Sequence, residues 1–340
     1  MRVGLVGRSD ARGLGHISRE FFRNMRPART LIVEPTGSGH ASNRSWYPST
    51  DTERVAHVGW STANPRFPDG PFRRWLADLD VVYGAETFYD PRFVEFAQEA
   101  GVATVLHVNP EFYRRGVSDQ ATAVWNQSPW LHDRLRADAE VVPVPVATDR
   151  FPTRQVNLTR PLRVLHIAGN VAAHDRNGTT AAVAAMRGTQ GVEFTVLSQR
   201  RIAGVETRRA AGDYWDMYTG HDVLVMPRRY AGQSLPVQEA LAAGLAVIMP
   251  DCPPNDWWTP VIRVTATAAG TVETPGGEVP VHDTDVGALT DAVQRLADDR
   301  DALSEARSAG LAWARENSWT ALRPFYEDAL RSARSERVLP

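Results

Sequence analysis

The sequence predicts an α/β protein made of two doubly wound, Rossmann-like domains in series. Three observations carry this expectation. Short apolar runs alternate with amphipathic ones, the pattern of a mostly parallel sheet with helices on both faces. A polar stretch over 149–161, with two prolines and no periodicity, interrupts the alternation, which then restarts. The chain has 340 residues, 43% of them hydrophobic, enough for two compact cores.

The elements run in order along the chain. In the first half, 3–6 is a strand, 17–25 a helix, and 30–33 and 54–58 are strands. A helix over 71–79 leads into a buried strand at 80–83, and a helix over 91–100, stopped by Gly101, leads into a strand at 102–108. A strand at 121–126, a helix at 129–136 and a strand at 141–146 close this half. In the second half, 162–167, 194–197, 223–226 and 246–249 are strands, and 178–186 and 236–243 are helices, the latter ended by Gly244. Helices over 286–297 and 301–316 come next, and Ser318 is placed to N-cap a last helix carrying Trp319, Leu322, Tyr326 and Leu330 on one face. The expected division is a first domain at 1–150, a linker at 151–161, a second domain at 162–316 and a C-terminal helix at 317–340.

Composition narrows the function classes. Net charge is -2, so the whole chain carries no electrostatic footprint for nucleic acid. Cys252 is the only cysteine, which excludes an internal disulfide. The longest apolar stretch, 240–249, cannot span a bilayer, and the N-terminal run is too short for a signal peptide. The chain reads as a soluble cytoplasmic protein. All 38 basic residues are arginine, so lysine-dependent chemistry is excluded and phosphate binding falls to arginine, histidine or backbone amides.

The most informative segment is HDVLVMPRRYAGQSLPVQEALAAGLAVIMPD, residues 221–251. A buried strand ends at Pro227, and the loop Gly232, Gln233, Ser234, Leu235 feeds amide groups into a helix N-terminus at Pro236, a natural anion site. Glu239 is expected in the first turn of that helix, within reach of a ligand. The loop and helix resemble the retaining GT-B glycosyltransferases of family 4, whose hallmark is two glutamates flanking a GFGLPxx stretch. Gly232 through Glu239 matches the later part. Pro145 to Phe151 resembles the family's interdomain NGVDxxxF segment without its Asn-Gly. Tyr218 to Asp222 resembles the tyrosine-to-aspartate segment before its strand, and Asn317, Ser318 and Trp319 resemble its C-terminal fsW.

The resemblance implies a GT-B architecture, with the two domains facing a central cleft and the C-terminal helix crossing back to the first. It implies sugar transfer with retention, without a metal or added cofactor, from a nucleotide-sugar donor that is UDP- or GDP-linked. The acceptor would be a hydroxyl of a glycan, lipid, protein or small molecule. Glu239 would bind the ribose hydroxyls, and the amides of Gly232, Gln233, Ser234 and Leu235 would hold the donor sugar and its phosphate. Gly169 and Asn170 stand where the family has Gly-Arg, and Arg176 stands at its lysine, so Arg176 would stabilise the leaving diphosphate. His174 lies between them. The family's first glutamate falls at Ala231, which has no carboxylate.

In the first domain, Gly13 and Gly15 come after strand one, where the family's Gly-rich turn approaches the donor phosphates; an ordinary strand-to-helix turn uses the same glycines. His107, at the end of 102–108, stands where the family often has a histidine touching the donor sugar; a histidine in a buried strand otherwise serves the core. Glu86, at a strand's carboxyl end, is placed to face an acceptor hydroxyl. Asp78-Leu79-Asp80 and Asp283-Thr284-Asp285 spell Asp-x-Asp, but Asp80 opens a strand and Asp285 is set to cap a helix. Trp257 and Trp258 read as packing. Two alternatives accompany the transferase reading: a GT-B relative that binds nucleotide sugar with little or no turnover, and a nicotinamide-dependent oxidoreductase using Gly13, Gly15 and Glu34, in which Ser18 replaces the third glycine.

Overall fold

The computed structural model describes residues 1–36, 42–48, 51–58, 67–151, 161–169, 175–209 and 213–336. The chain forms two compact units, 1–144 with 322–340, and 145–321.

The first unit is built on a seven-stranded sheet in the order β3-β2-β1-β4-β5-β6-β7. The strands are β1 (Val3–Arg8), β2 (Arg29–Thr36), β3 (Thr52–Val58), β4 (Val81–Ala85), β5 (Ala103–Val108), β6 (Ala123–Asn126) and β7 (Glu140–Val141). Every pairing is parallel. The helices α1 (Gly13–Met25), α2 (Asp69–Leu76) and α3 (Phe93–Glu99) connect them. Leu31, Val33, Val82, Leu106 and Val124 pack with Phe72, Trp75 and Phe93 of α2 and α3 in one large cluster. The expected helix at 129–136 is instead a single 3-10 turn, His132–Arg134. Leu131 sits at φ 49°, in the left-handed region, which breaks a helix at that point.

The second unit repeats the plan, with a six-stranded parallel sheet in the order β10-β9-β8-β11-β12-β13. Its strands are β8 (Leu162–Gly169), β9 (Val192–Ser198), β10 (Thr207–Arg208), β11 (Val223–Val225), β12 (Ala246–Pro250) and β13 (Ile262–Val264). The helices are α4 (Thr179–Met186), α5 (Leu235–Ala242), α6 (Val286–Asp298) and α7 (Arg300–Glu316). Side chains alternate between two cores: Val164, Val223, Val225, Ala246 and Ile248 on one face, Leu165, Leu224, Val247 and Met249 on the other. Both faces being apolar is why these strands read as continuous apolar runs. The sequence pattern does not predict one element: an antiparallel hairpin of β14 (Ala266–Thr274) and β15 (Gly277–Thr284) between β13 and α6.

The caps agree with the sequence. Asp285 accepts from the Ala288 amide at 2.9 Å and opens α6, and Ser318 accepts from the Ala321 amide at 3.3 Å and opens α8 (Trp319–Glu336). The two segments matched to NGVDxxxF and fsW are hydrogen-bonded to each other: Val146 donates to the Asn317 carbonyl at 2.8 Å and accepts from the Trp319 amide at 3.2 Å. From Leu322 onward α8 belongs to the first unit, as expected of a helix that crosses back. There Tyr326 donates to the Pro143 carbonyl at 3.0 Å and packs its ring on Trp125 and His107.

Candidate functional site

In the second unit, the carboxyl ends of β8 and β11 lead into two loops that lie against each other. The Arg229 amide donates to the Arg176 carbonyl at 2.9 Å, and the Arg176 guanidinium stands over the Tyr230 ring at 5.4 Å. Gly178 makes this approach possible. A side chain there would place its first carbon 1.8 Å from the Pro227 carbonyl oxygen, and its φ of 68° suits glycine. Asp175 anchors the same loop by accepting from the Thr179 and Thr180 amides at 2.8 Å each, at the start of α4. Asn177 donates to the Ile167 carbonyl at 3.0 Å. Arg176, the buried Arg228 and Arg229 thus gather at one edge of the sheet, with Arg229 also bonded to Asp283 of the hairpin at 2.7 Å. Asn170 and His174 lie outside the described residues.

The loop after β11 runs through Ala231, Gly232 and Gln233 to Ser234, the residue preceding α5. Ala231 is buried and held at φ 153°, a region that costs an ordinary residue roughly 1–3 kcal/mol. It stands where the resemblance places a glutamate. Gln233 is 6% exposed, and among the described residues neither its Oε1 nor its Nε2 has a hydrogen-bond partner. Glu239 lies on the second turn of α5 rather than the first. Its buried carboxylate accepts from Tyr214 at 3.1 and 2.9 Å and from Tyr218. Both phenols sit on a 3-10 turn, Tyr214–Tyr218, fixed by a capping box of Asp213 and Asp216. Burial, reinforced by the Glu239 charge, pushes both phenols well above their ordinary range, so they stay protonated and serve as donors. Tyr214 escapes a reading of the sequence because it stands 25 residues from its carboxylate partner.

The other tempting residues have structural tasks. Asp222 accepts from the Arg163 amide at 3.0 Å and pairs with the buried Arg307 at 3.3 Å. Asp80 accepts from the Arg2 amide and pairs with Arg334 at 3.2 Å. Trp258 is packed with Leu165, Tyr218 and Val261. Burial pushes the Cys252 thiol up to about 12, which leaves it an inert core residue.

In the first unit, Gly13 and Gly15 open α1. A first side-chain carbon on Gly15 would lie 1.9 Å from the Asp10 carbonyl oxygen, so the tight β1–α1 turn alone requires that glycine. Glu34 pairs with Arg44 at 2.9 Å and Arg54 at 3.0 Å, which engages the carboxylate a nicotinamide ribose would need. Glu86 is half-buried and accepts from Asn109 Nδ2 at 2.9 Å. His107 is fully buried, with Nδ1 2.9 Å from the Tyr83 hydroxyl and Nε2 2.7 Å from the Val142 carbonyl. Both ring nitrogens are committed within the unit, so His107 is a core residue and has no free nitrogen to offer a donor sugar.

His107 has a counterpart in the second unit. His166 is equally buried, with its nitrogens 2.9 Å from the Val225 carbonyl and from the Thr179 hydroxyl. Burial pushes each imidazole down to about 4. Both are neutral when folded and take up protons on unfolding, so stability is complete above the ordinary histidine pKa near 6.5 and falls as pH drops toward 4. Denaturant unfolding across this window should show a loss on the order of 3 kcal/mol for each histidine. A flat profile between pH 6.5 and 4.5 would contradict the neutral, buried assignment.

No family model and no curated protein matches the sequence. Solved structures match its fold, and with the two parallel sheets they establish it as GT-B. HepE from Anabaena, in complex with UDP and glucose, is similar at TM-score 0.69 and 10% identity, over 98% of this chain and all of that one. Sucrose-phosphate synthase from Thermosynechococcus elongatus is similar at TM-score 0.67 and 14% identity, over 98% of each chain. Trehalose-6-phosphate synthase from E. coli, bound with UDP-2-fluoro glucose, is similar at TM-score 0.65 and 10% identity, over 97% of this chain and 99% of that one. Among the described residues, no helix is long and apolar enough to cross a membrane.

Proposed function

We propose that this protein is a retaining, metal-independent glycosyltransferase that moves a sugar from a UDP- or GDP-linked donor to an acceptor hydroxyl. The observation that carries the reading is the contact of Arg176 with Tyr230, at the head of the loop that runs into α5 and its Glu239, at the carboxyl edge of the second sheet of a GT-B fold. The UDP and glucose bound to HepE and the UDP-2-fluoro glucose bound to the trehalose-6-phosphate synthase add support. Glu239, oriented by Tyr214 and Tyr218, binds the ribose hydroxyls of the donor. The loop amides and Gln233 hold its sugar and phosphate, with Gly169 at the end of β8. Arg176 compensates the charge that grows on the leaving diphosphate. The bond between the anomeric carbon and the phosphate oxygen breaks, the acceptor oxygen bonds to the same face of that carbon, and the acceptor proton passes to the leaving phosphate.

A nucleotide-sugar binder with little turnover is the second reading, favoured by Ala231, which offers no carboxylate to the donor sugar. Release of UDP or GDP from a panel of nucleotide sugars, with and without acceptors, separates the two. Saturable binding without release would select the second. Turnover should persist in excess EDTA, because arginine rather than a metal ion answers the diphosphate charge in this proposal. Complete loss on chelation, restored by manganese or magnesium, would contradict the metal-free reaction.

A further inference from the structure

The β14–β15 hairpin reaches the loops around Arg176 through its last residues. The His282 amide donates to the Arg229 carbonyl at 3.0 Å, and Asp283 Oδ1 accepts from Arg229 Nε at 2.7 Å. Two consecutive residues of β15 thus grip Arg229, one by its backbone and one by its side chain. On its other side the Arg229 amide donates to the Arg176 carbonyl at 2.9 Å. The next residue, Tyr230, sets its ring beneath the Arg176 guanidinium. A continuous series of direct contacts therefore runs from Asp283 through Arg229 to Arg176. Of the Asp283-Thr284-Asp285 run, Asp285 is accounted for as the cap of α6, and Asp283 has this contact instead.

The base from which Asp283 acts is fixed, and the loop it reaches is not fixed by its own bonds. Val279 and Val281 of β15 are buried, and Asp283 stands opposite Thr267 in the hairpin ladder. Two residues on, the Asp285 amide donates to the Thr265 carbonyl at 2.9 Å, and its carboxylate holds the start of α6. Arg176, by contrast, lies in the turn between β8 and α4, outside any helix or strand. No ladder or helical bond sets its backbone, so its placement depends on neighbours such as Arg229. Placement matters because a cation stabilises developing charge only when it is already in position. The Asp283 side chain is 58% exposed and that of Arg229 26%, so the pair adds little to global stability.

We infer that Asp283 is a positioning residue: through Arg229 it holds the Arg176 loop where charge grows on the leaving diphosphate. This role rests on the proposed glycosyl transfer. Asp283→Ala should lower kcat about fivefold, the upper worth of an exposed ion pair, with nucleotide Kd unchanged within about twofold. The thermal midpoint should stay essentially unchanged. Asp283→Asn keeps an oxygen for Arg229 Nε and should recover part of the rate. A double-mutant cycle then separates positioning from a general structural effect. In an Arg176→Ala background, Asp283→Ala should cause no further loss of kcat, because the group it positions is gone. An unchanged kcat in Asp283→Ala, a loss confined to Kd, or losses that multiply in the double variant would overturn the inference while leaving transfer intact. Failure of the transfer reading looks different: the native protein consumes no nucleotide sugar, and the role of Asp283 falls with it.

Discussion

Replacing Arg176 by alanine is expected to lower kcat by about a hundredfold, the loss typical of a removed charge stabiliser. The diphosphate is already charged in the bound donor, so part of the effect appears as weaker binding. During transfer the glycosidic oxygen gains further negative charge, and a positioned guanidinium interacts with it more strongly than with the ground state. The backbone of Arg176 is held by the Arg229 amide and its guanidinium by the Tyr230 ring, which limits the reorganisation needed when that charge develops. Lysine at this position should restore part of the rate, since it returns the charge without the fork. The measurement is kcat at saturating donor beside the nucleotide Kd, with the thermal midpoint as a control for folding. A change confined to Kd would make Arg176 a binding residue and move the leaving-group role elsewhere.

Glu239→Gln should weaken nucleotide binding by about 1.5–3 kcal/mol, roughly tenfold to a hundredfold in Kd. The substitution keeps the shape of the side chain and an oxygen for Tyr214 and Tyr218 to donate to, so the fold should survive. It removes the negative charge that strengthens hydrogen bonds from ribose hydroxyls. Calorimetric titration of both proteins with UDP and GDP reads the difference. Equal affinity in the variant would remove Glu239 from the donor site and leave it a structural partner of the two tyrosines.

The sequence is unevenly legible, for physical reasons. The strands β8, β11 and β12 are plain in it because both faces of that sheet are buried, and burial favours near-continuous apolar runs. The β14–β15 hairpin is not, because Ala268, Ala269 and Gly270 are small and exposed and leave no alternation to read. Glu239 is visible through its spacing from Gly232 and Pro236, a local signal. The pairing of Glu239 with Tyr214 is made by the fold across 25 residues and has no such signal. His107 shows the converse. Its position at the end of a strand suggests chemistry, while the partners that commit it, Tyr83 and Val142, come from distant parts of the chain.

Titration of the whole protein with UDP-glucose, GDP-mannose and NADH, monitored by calorimetry, bears on the proposed donor site without needing the acceptor. One of the two nucleotide sugars should bind saturably at one site per chain, the free diphosphate should compete with it, and Glu239→Gln should weaken both. NADH should not bind, since Glu34 is held by Arg44 and Arg54. A folded protein that bound NADH and neither nucleotide sugar would contradict the glycosyltransferase assignment.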